Sequence, residues 1–273
     1  MRKIILSAVL LCGSIFSQAQ TVKPLQIGNI VTLHSAFLRE DRDINIWLPA
    51  GYQPDSISYP VIYLLDGGMQ EDFHHISGLV QFLTMTNQLP ASIVVGICNK
   101  DRKHDFTFPT TNAKDKKAYP TTGGSAPFIS FLQQELIPYI KQHYAVSTQR
   151  TVVGQSLGGL LATEILTRTP DMFNNYVIVS PSLWWDDESL LKKVTPAISN
   201  YKGQPLRICI SVGKEGKVME EDARNLYQTI QAAGNNRITV GFTPLEAENH
   251  LTILHNAAYK SLSWLADSTH ATK

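Results

Sequence analysis

The chain has 273 residues, 43% of them hydrophobic and 17% charged, with 24 basic against 23 acidic side chains. That is enough for one domain with a large core, and so even a charge balance, with lysines and arginines scattered along the chain, gives nucleic-acid binding no electrostatic support. Three cysteines are too few for a disulfide-stapled scaffold.

In chain order, Met1-Arg2-Lys3, the apolar stretch Ile4 to Phe16 and then Ser17-Gln18-Ala19 have the three zones of a secretory signal peptide. The expectation is cleavage after Ala19, removing residues 1–19 and leaving one domain over 20–273, exported to a periplasm or the medium. Processing would take away Arg2 and Lys3 and no acid, so 24 basic groups become 22 against 23 acidic ones, a net charge of −1. The apolar stretch is too short to span a bilayer and no other long uncharged run follows, so no stable membrane insertion is expected after processing. Cys12 raises a lipidation question, but Leu11 stands where a lipid-attachment site wants a small residue. Cys98 and Cys209 sit in apolar, strand-like runs and read as buried thiols; an oxidising compartment leaves one bridge open.

Ile27 to Leu38 and Ile44 to Leu48 read as an antiparallel pair at a sheet edge. From Tyr59 onward the chain repeats strand, loop and helix. Strands are predicted at Val61 to Leu65, Ser92 to Ile97, Arg150 to Val153, Tyr176 to Val179, Leu206 to Val212 and Arg237 to Phe242. This rhythm belongs to an α/β fold with a mostly parallel central sheet and helices on both faces. Phe128, Phe131, Leu132, Leu136, Tyr139 and Ile140 recur at helical spacing, as do Leu226, Ile230 and Ala233, and Pro138 should bend the first of these helices. Residues 99–124 form the longest irregular stretch. Its place after a parallel strand puts it at the carboxyl edge of the sheet, where ligands bind in open α/β folds. No repeat or linker suggests a second domain.

Gly154-Gln155-Ser156-Leu157-Gly158 follows the apolar run Thr151-Val152-Val153 and leads into Gly159-Leu160-Leu161-Ala162. This strand, sharp turn and helix place Ser156 where α/β-hydrolases keep their nucleophile. The turn opens a helix, so the unpaired N–H of Leu157 points at whatever lies above the serine, and the helix dipole favours negative charge there. A serine is a poor nucleophile at neutral pH and needs a base with a carboxylate to orient it. His250, in the loop between the last strand and the closing helix Leu251 to Ala266, lies at the same sheet edge; it reads as that base or as a residue bonded only to local backbone. His255, inside the helix, reads as packing or surface.

The acid is expected after a strand between nucleophile and histidine, and Glu215 ends the strand Leu206 to Gly213. Glu220, Glu221 and Asp222 stand at a helix start and complement its dipole; Glu248 is an outside candidate because it neighbours His250, and a dyad without any acid stays open. The second oxyanion donor is expected from Asp66-Gly67-Gly68-Met69, with Gly67 or Gly68 donating through its own N–H or that of Met69; a plain Asp-Gly turn explains the same residues in isolation.

Several stretches together resemble the predicted-esterase family that includes periplasmic siderophore esterases, close to the esterase D group. They are Tyr63-Leu64-Leu65-Asp66-Gly67, Val95-Gly96-Ile97 with Asp101-Arg102-Lys103-His104-Asp105, Glu135-Leu136-Ile137-Pro138-Tyr139-Ile140, Gly154 to Gly159 and Ser180-Pro181-Ser182-Leu183-Trp184-Trp185. The resemblance implies an α/β-hydrolase acting on esters, with Ser156 as nucleophile and His250 as base. His104 departs from the family's arginine and Phe108 looks inserted before Pro109, both in the loop that should shape substrate choice. Arg102 matches an arginine that meets the ligand in siderophore esterases; the alternative is an Arg102–Asp105 ion pair that holds the loop. Of Trp184 and Trp185, one can line a cleft for aryl or sugar rings while the other anchors it, and both can equally be core.

The reading is an exported serine esterase acting on a small-molecule ester through an acyl-enzyme, with no metal or organic cofactor needed. Acyl transfer, thioester cleavage or peptide cleavage at the same site, and a non-catalytic binding protein on the same fold, are the rival readings.

Overall fold

Valine, isoleucine and tyrosine runs of five to ten residues, too short and too β-branched for helices, form the centre of the molecule. The computed structural model describes residues 22–267. The expected signal segment 1–19, with Cys12, lies outside the described residues. Among the described residues the sheet has eight strands: β1 Asn29–Ser35, β2 Glu40–Trp47, β3 Tyr59–Leu64, β4 Ile93–Ile97, β5 Val146–Gln155, β6 Asn175–Val179, β7 Leu206–Gly213 and β8 Ile238–Leu245. Their order is β1-β2-β4-β3-β5-β6-β7-β8. β1 pairs antiparallel with β2, and β2 with β4, while every pair from β4 through β8 is parallel. The mixed α/β architecture with its antiparallel edge is therefore as the sequence pattern implies, although Phe37 and Leu38 belong to the turn between β1 and β2 and not to a strand.

Ten helices accompany the strands among the described residues: α1 Phe73–Met85, α2 Arg102–Asp105, α3 Ala113–Ala118, α4 Ser125–Phe131, α5 Ile137–His143, α6 Leu157–Arg168, α7 Trp185–Glu188, α8 Leu191–Ile198, α9 Lys217–Ala232 and α10 Ile253–Ala266. Side chains alternate across each strand, so the sheet has a core on both faces. Tyr63, Val152 and Ile178 meet α4, α6, α8 and α9 on one face. Leu64, Val153 and Val179 meet α1 and α10 on the other. Burying each such aliphatic or aromatic side chain stabilises the fold by about 1.5–3 kcal/mol, so the central strands are the last part to yield.

Two expectations change. Residues 99–124 are not structureless, because α2 and α3 lie within them. The bend at Pro138 takes the form of a π-helical turn, Leu132–Leu136, immediately before α5; Pro138 then sits in the first turn of α5, where its missing N–H costs nothing. Cys98 is half-buried beyond the end of β4 and Cys209 is buried in β7, both as free thiols. Four strand steps separate β4 from β7, about 19 Å at the usual spacing, far beyond the reach of a bridge.

Where β3 ends, its loop passes directly over β4. A Cβ on Gly67 would lie 2.3 Å from Gly96 Cα, backbone against backbone, so only glycine fits. Gly67→Ala is expected to cost about 3 kcal/mol or more, because neither backbone can move without breaking the sheet ladder. Urea denaturation checks this, and an unchanged midpoint would contradict the close approach.

Candidate active site

β5 ends at Gln155 and the chain enters α6 through Ser156, whose backbone is at φ 60° and ψ −119°. A non-glycine residue there carries about 1–3 kcal/mol of strain, a cost that the surrounding bonds must offset. The Ser156 N–H donates to Val179 O at 3.0 Å, and the Ser182 N–H donates to Ser156 O at 3.0 Å, tying the turn to the end of β6. Space is tightest at Gly154, where a Cβ would fall 2.4 Å from Gly158 O. Gly158 itself is less constrained, since a Cβ there would make ordinary contact with Asp66 Oδ2 at 3.4 Å. Leu157 is the first residue of α6, so its N–H has no helical carbonyl four residues back to donate to.

His250 leaves the loop after β8 and reaches Ser156 from the side. Its Nε2 lies 3.0 Å from Ser156 Oγ, and its Nδ1 lies 2.5 Å from Glu215 Oε2. The Gln155 side-chain amide donates to the His250 carbonyl at 2.5 Å, which fixes the loop against the Ser156 turn. With Nδ1–H donating to the carboxylate, Nε2 presents a lone pair to the serine hydroxyl; this tautomer follows from the acceptor-only carboxylate. Burial alone would raise the Glu215 pKa, but hydrogen bonds from His250, Ser180 and the Gly213 N–H outweigh it and hold the carboxyl below the ordinary glutamate range. The carboxyl is thus ionised at neutral pH.

The other acids divide as their positions suggest. Glu220 accepts the N–H groups of Glu215 and Gly216 at 2.9 and 3.0 Å, serving the start of α9. Glu248 is bonded by the Asn256 side chain and does not meet His250 through its carboxylate. His255 stacks on His75, with 2.9 Å between ring nitrogens, and belongs to the α1–α10 face.

Three site expectations need correction. The N–H groups of Gly67 and Gly68 are both occupied, Gly67 donating to Ile97 O at 2.9 Å to close the loop on β4, and Gly68 donating to Glu71 Oε2 at 2.7 Å. Beyond the two glycines, no hydrogen bond engages the Met69 N–H among the described residues. Arg102 does not pair with Asp105. It grips Asp66 with Nε at 2.5 Å and Nη2 at 2.7 Å and also donates to Gln155 O at 3.2 Å, bracing the loop after β3 against the Ser156 turn. Asp105 pairs instead with the buried Arg42, 2.9 Å away. Trp185 is 0% exposed, donates its indole N–H to Phe108 O at 3.0 Å and cannot touch a substrate; Trp184 is half-buried against Tyr119.

Sequence reasoning passed over several neighbours. Ser182 Oγ lies 3.2 Å from Ser156 Oγ, and Ser180 Oγ donates to Glu215. Both follow a central parallel strand, which is the one signal that marked them. Asp66 and Asn99 surround Arg102, with the Asn99 amide bridging Asp66 Oδ1 at 2.5 Å and Glu71 Oε1 at 2.7 Å. Next to them, burial first, then the charges of Asp66 and Glu71, push the Asp72 carboxyl up to about 6.

A polarised hydroxyl, a base held by a buried carboxylate and a helix N-terminus facing the same point form an arrangement suited to attack on a carbonyl carbon. Comparison with known proteins gives the same direction. The profile of the family described as "Putative esterase" matches residues 35–255. The chain is 32% identical over 224 residues to the ferri-bacillibactin esterase BesA of Bacillus subtilis, covering 74% of this chain and 76% of that one. Among solved structures it resembles the BES protein from Bacillus cereus, with a TM-score of 0.79 at 27% identity over 90% of this chain and 98% of the other. An IroE-like serine hydrolase from Shewanella oneidensis superposes with a TM-score of 0.78 at 26% identity, over 87% of this chain and 79% of that one.

Proposed function

Since this chain belongs to that esterase family and is an ester hydrolase of the α/β-hydrolase type, we propose that Ser156 is its nucleophile, His250 its general base and Glu215 the acid that orients the base. The observation that carries this reading is the unbroken chain from Glu215 Oε2 to His250 Nδ1 at 2.5 Å and from His250 Nε2 to Ser156 Oγ at 3.0 Å.

In the first half-reaction Ser156 Oγ attacks the ester carbonyl carbon as its proton passes to His250 Nε2. Glu215 stabilises the imidazolium without taking the proton. The carbonyl oxygen becomes an oxyanion, which the Leu157 N–H meets at the start of α6, with the Met69 N–H as the second donor in place of Gly67 and Gly68. His250 returns the proton to the alcohol oxygen, the C–O bond breaks and an acyl-serine remains. A water then gives a proton to His250 Nε2 and attacks the acyl carbon; the bond to Ser156 Oγ breaks, His250 passes that proton to Oγ, and the carboxylic acid leaves with the serine hydroxyl restored. Each step uses side chains and backbone amides already in this set.

For the substrate, the relative BesA is named for a ferri-bacillibactin ester, and we infer a small-molecule ester of the siderophore type for this chain, with Trp184 at the rim of the cleft and Trp185 behind it as support. Export of one domain over residues 20–273 fits the three zones of residues 1–19. Among the described residues no helix is long and apolar enough to cross a membrane.

A fluorophosphonate probe tests the nucleophile. The folded protein should take up one phosphonyl group, mapped by peptide mass to Ser156, and the Ser156→Ala variant should take up none. Folded protein that remains unlabelled would remove the reading. Comparing catecholate trilactones with feruloyl, acetyl and short p-nitrophenyl esters then ranks the substrate class.

A further inference from the structure

Beyond β6 the chain bends at Ser180, which is 0% exposed and sits at φ 42°. Glycine reaches this region freely and a serine does not, so the side chain must contribute something that offsets the strain. Its N–H donates to Ser211 O at 2.7 Å, which sets the bend. Its hydroxyl donates to Glu215 Oε1 at 2.5 Å, and the Gly213 N–H donates to the same oxygen at 3.0 Å. Glu215 Oε2 is left to His250.

Resting on the reading of Ser156, His250 and Glu215 given above, we propose that Ser180 is a positioning residue of the hydrolytic site, whose hydroxyl fixes the rotation of the Glu215 carboxylate so that Oε2 alone faces His250. The last torsion of a glutamate is broad and nearly two-fold, so one donor on Oε1 leaves the carboxylate plane free to rock. Two donors from different strands, Ser180 after β6 and Gly213 at the end of β7, hold the plane. Packing gives no reason for a hydroxyl at this point, because a buried Oγ without Glu215 would be an unsatisfied polar atom. The same bond contributes to keeping the Glu215 carboxyl below the ordinary range, against the opposing effect of burial.

Two variants test the assignment, Ser180→Gly and Ser180→Ala, assayed on a p-nitrophenyl ester across pH with thermal melts alongside. Both should lose about tenfold or more in kcat with KM held within about twofold, since Ser180 is buried and acts through Glu215. The acid limb of the kcat/KM profile should move to higher pH, because a carboxylate freed of one donor is more basic and retains the proton on His250 more strongly. Ser180→Gly should stay folded and melt closer to the wild-type temperature than Ser180→Ala, because glycine relieves the backbone strain that alanine keeps while both lose the bond to Glu215. Wild-type kcat in Ser180→Gly, a uniform loss with an unmoved acid limb, or failure of Ser180→Gly to fold would each overturn the proposal. Fluorophosphonate labelling of Ser156 in the wild type separates this outcome from a failure of the parent reading, which would leave the wild-type serine unlabelled.

Discussion

Ser156→Ala is expected to lower kcat on a p-nitrophenyl ester by about 10⁴- to 10⁶-fold while the protein stays folded. Among the described residues the Ser156 hydroxyl bonds only His250 and Ser182. Its loss removes the partner of the buried Ser182 hydroxyl, a cost of about 1–3 kcal/mol that a domain of this size can absorb, and the backbone at φ 60° is as strained for alanine as for serine. What disappears is the atom proposed to form the acyl-enzyme. The oxyanion donors and the binding surface remain, and they account for the residual rate above that of water. Measured turnover within about tenfold of wild type would place the chemistry elsewhere in the molecule.

The second large effect is expected at Glu215→Gln, a fall of about 10³- to 10⁴-fold in kcat/KM with little change in geometry. The amide nitrogen of glutamine can donate to His250 Nδ1, which then must be the unprotonated nitrogen. Nε2 would carry the hydrogen and could no longer accept the proton of Ser156. Stability should respond as well, with a sign set by the lowered Glu215 pKa. A carboxyl whose folded pKa lies below its unfolded value, about 4.3 for glutamate, stabilises the fold above that pH and loses the contribution as pH falls through the folded value. Urea melts should show the glutamine variant weaker at pH 7, with a shallower decline on acidification than wild type. A kcat/KM within a few-fold of wild type would reduce Glu215 to a structural partner and leave Ser156 and His250 as a dyad.

Bracing around this site comes from charged groups that the proposed chemistry does not use. Arg102, through Asp66 and Gln155 O, joins the loop after β3 to the Ser156 turn, so the two segments proposed to face the oxyanion are held by one guanidinium. The planar, five-donor fork suits this task because it serves a carboxylate and a carbonyl at once. Glu71 occupies the Gly68 N–H by a similar logic, leaving the Met69 N–H as the donor proposed on that side.

The sequence by itself determined what is encoded within a few residues: the strand periods, the α/β rhythm with its antiparallel edge, the sharp turn at Ser156, and the placing of Glu215 and His250 after the strands that follow it. Each depends on local patterning or on the chain order of a parallel sheet, where every strand delivers its next loop to the same edge. The structure brings those three side chains within hydrogen-bond distance, and the two substitutions above decide their roles. Only the tertiary structure decided which partner each donor found. Asp66 and not Asp105 takes Arg102, Ile97 takes the N–H of Gly67, Phe108 takes the indole of Trp185, and Glu215 takes Ser180. A buried polar group must be satisfied by whatever the packed fold brings beside it, and no pattern along the chain specifies that neighbour.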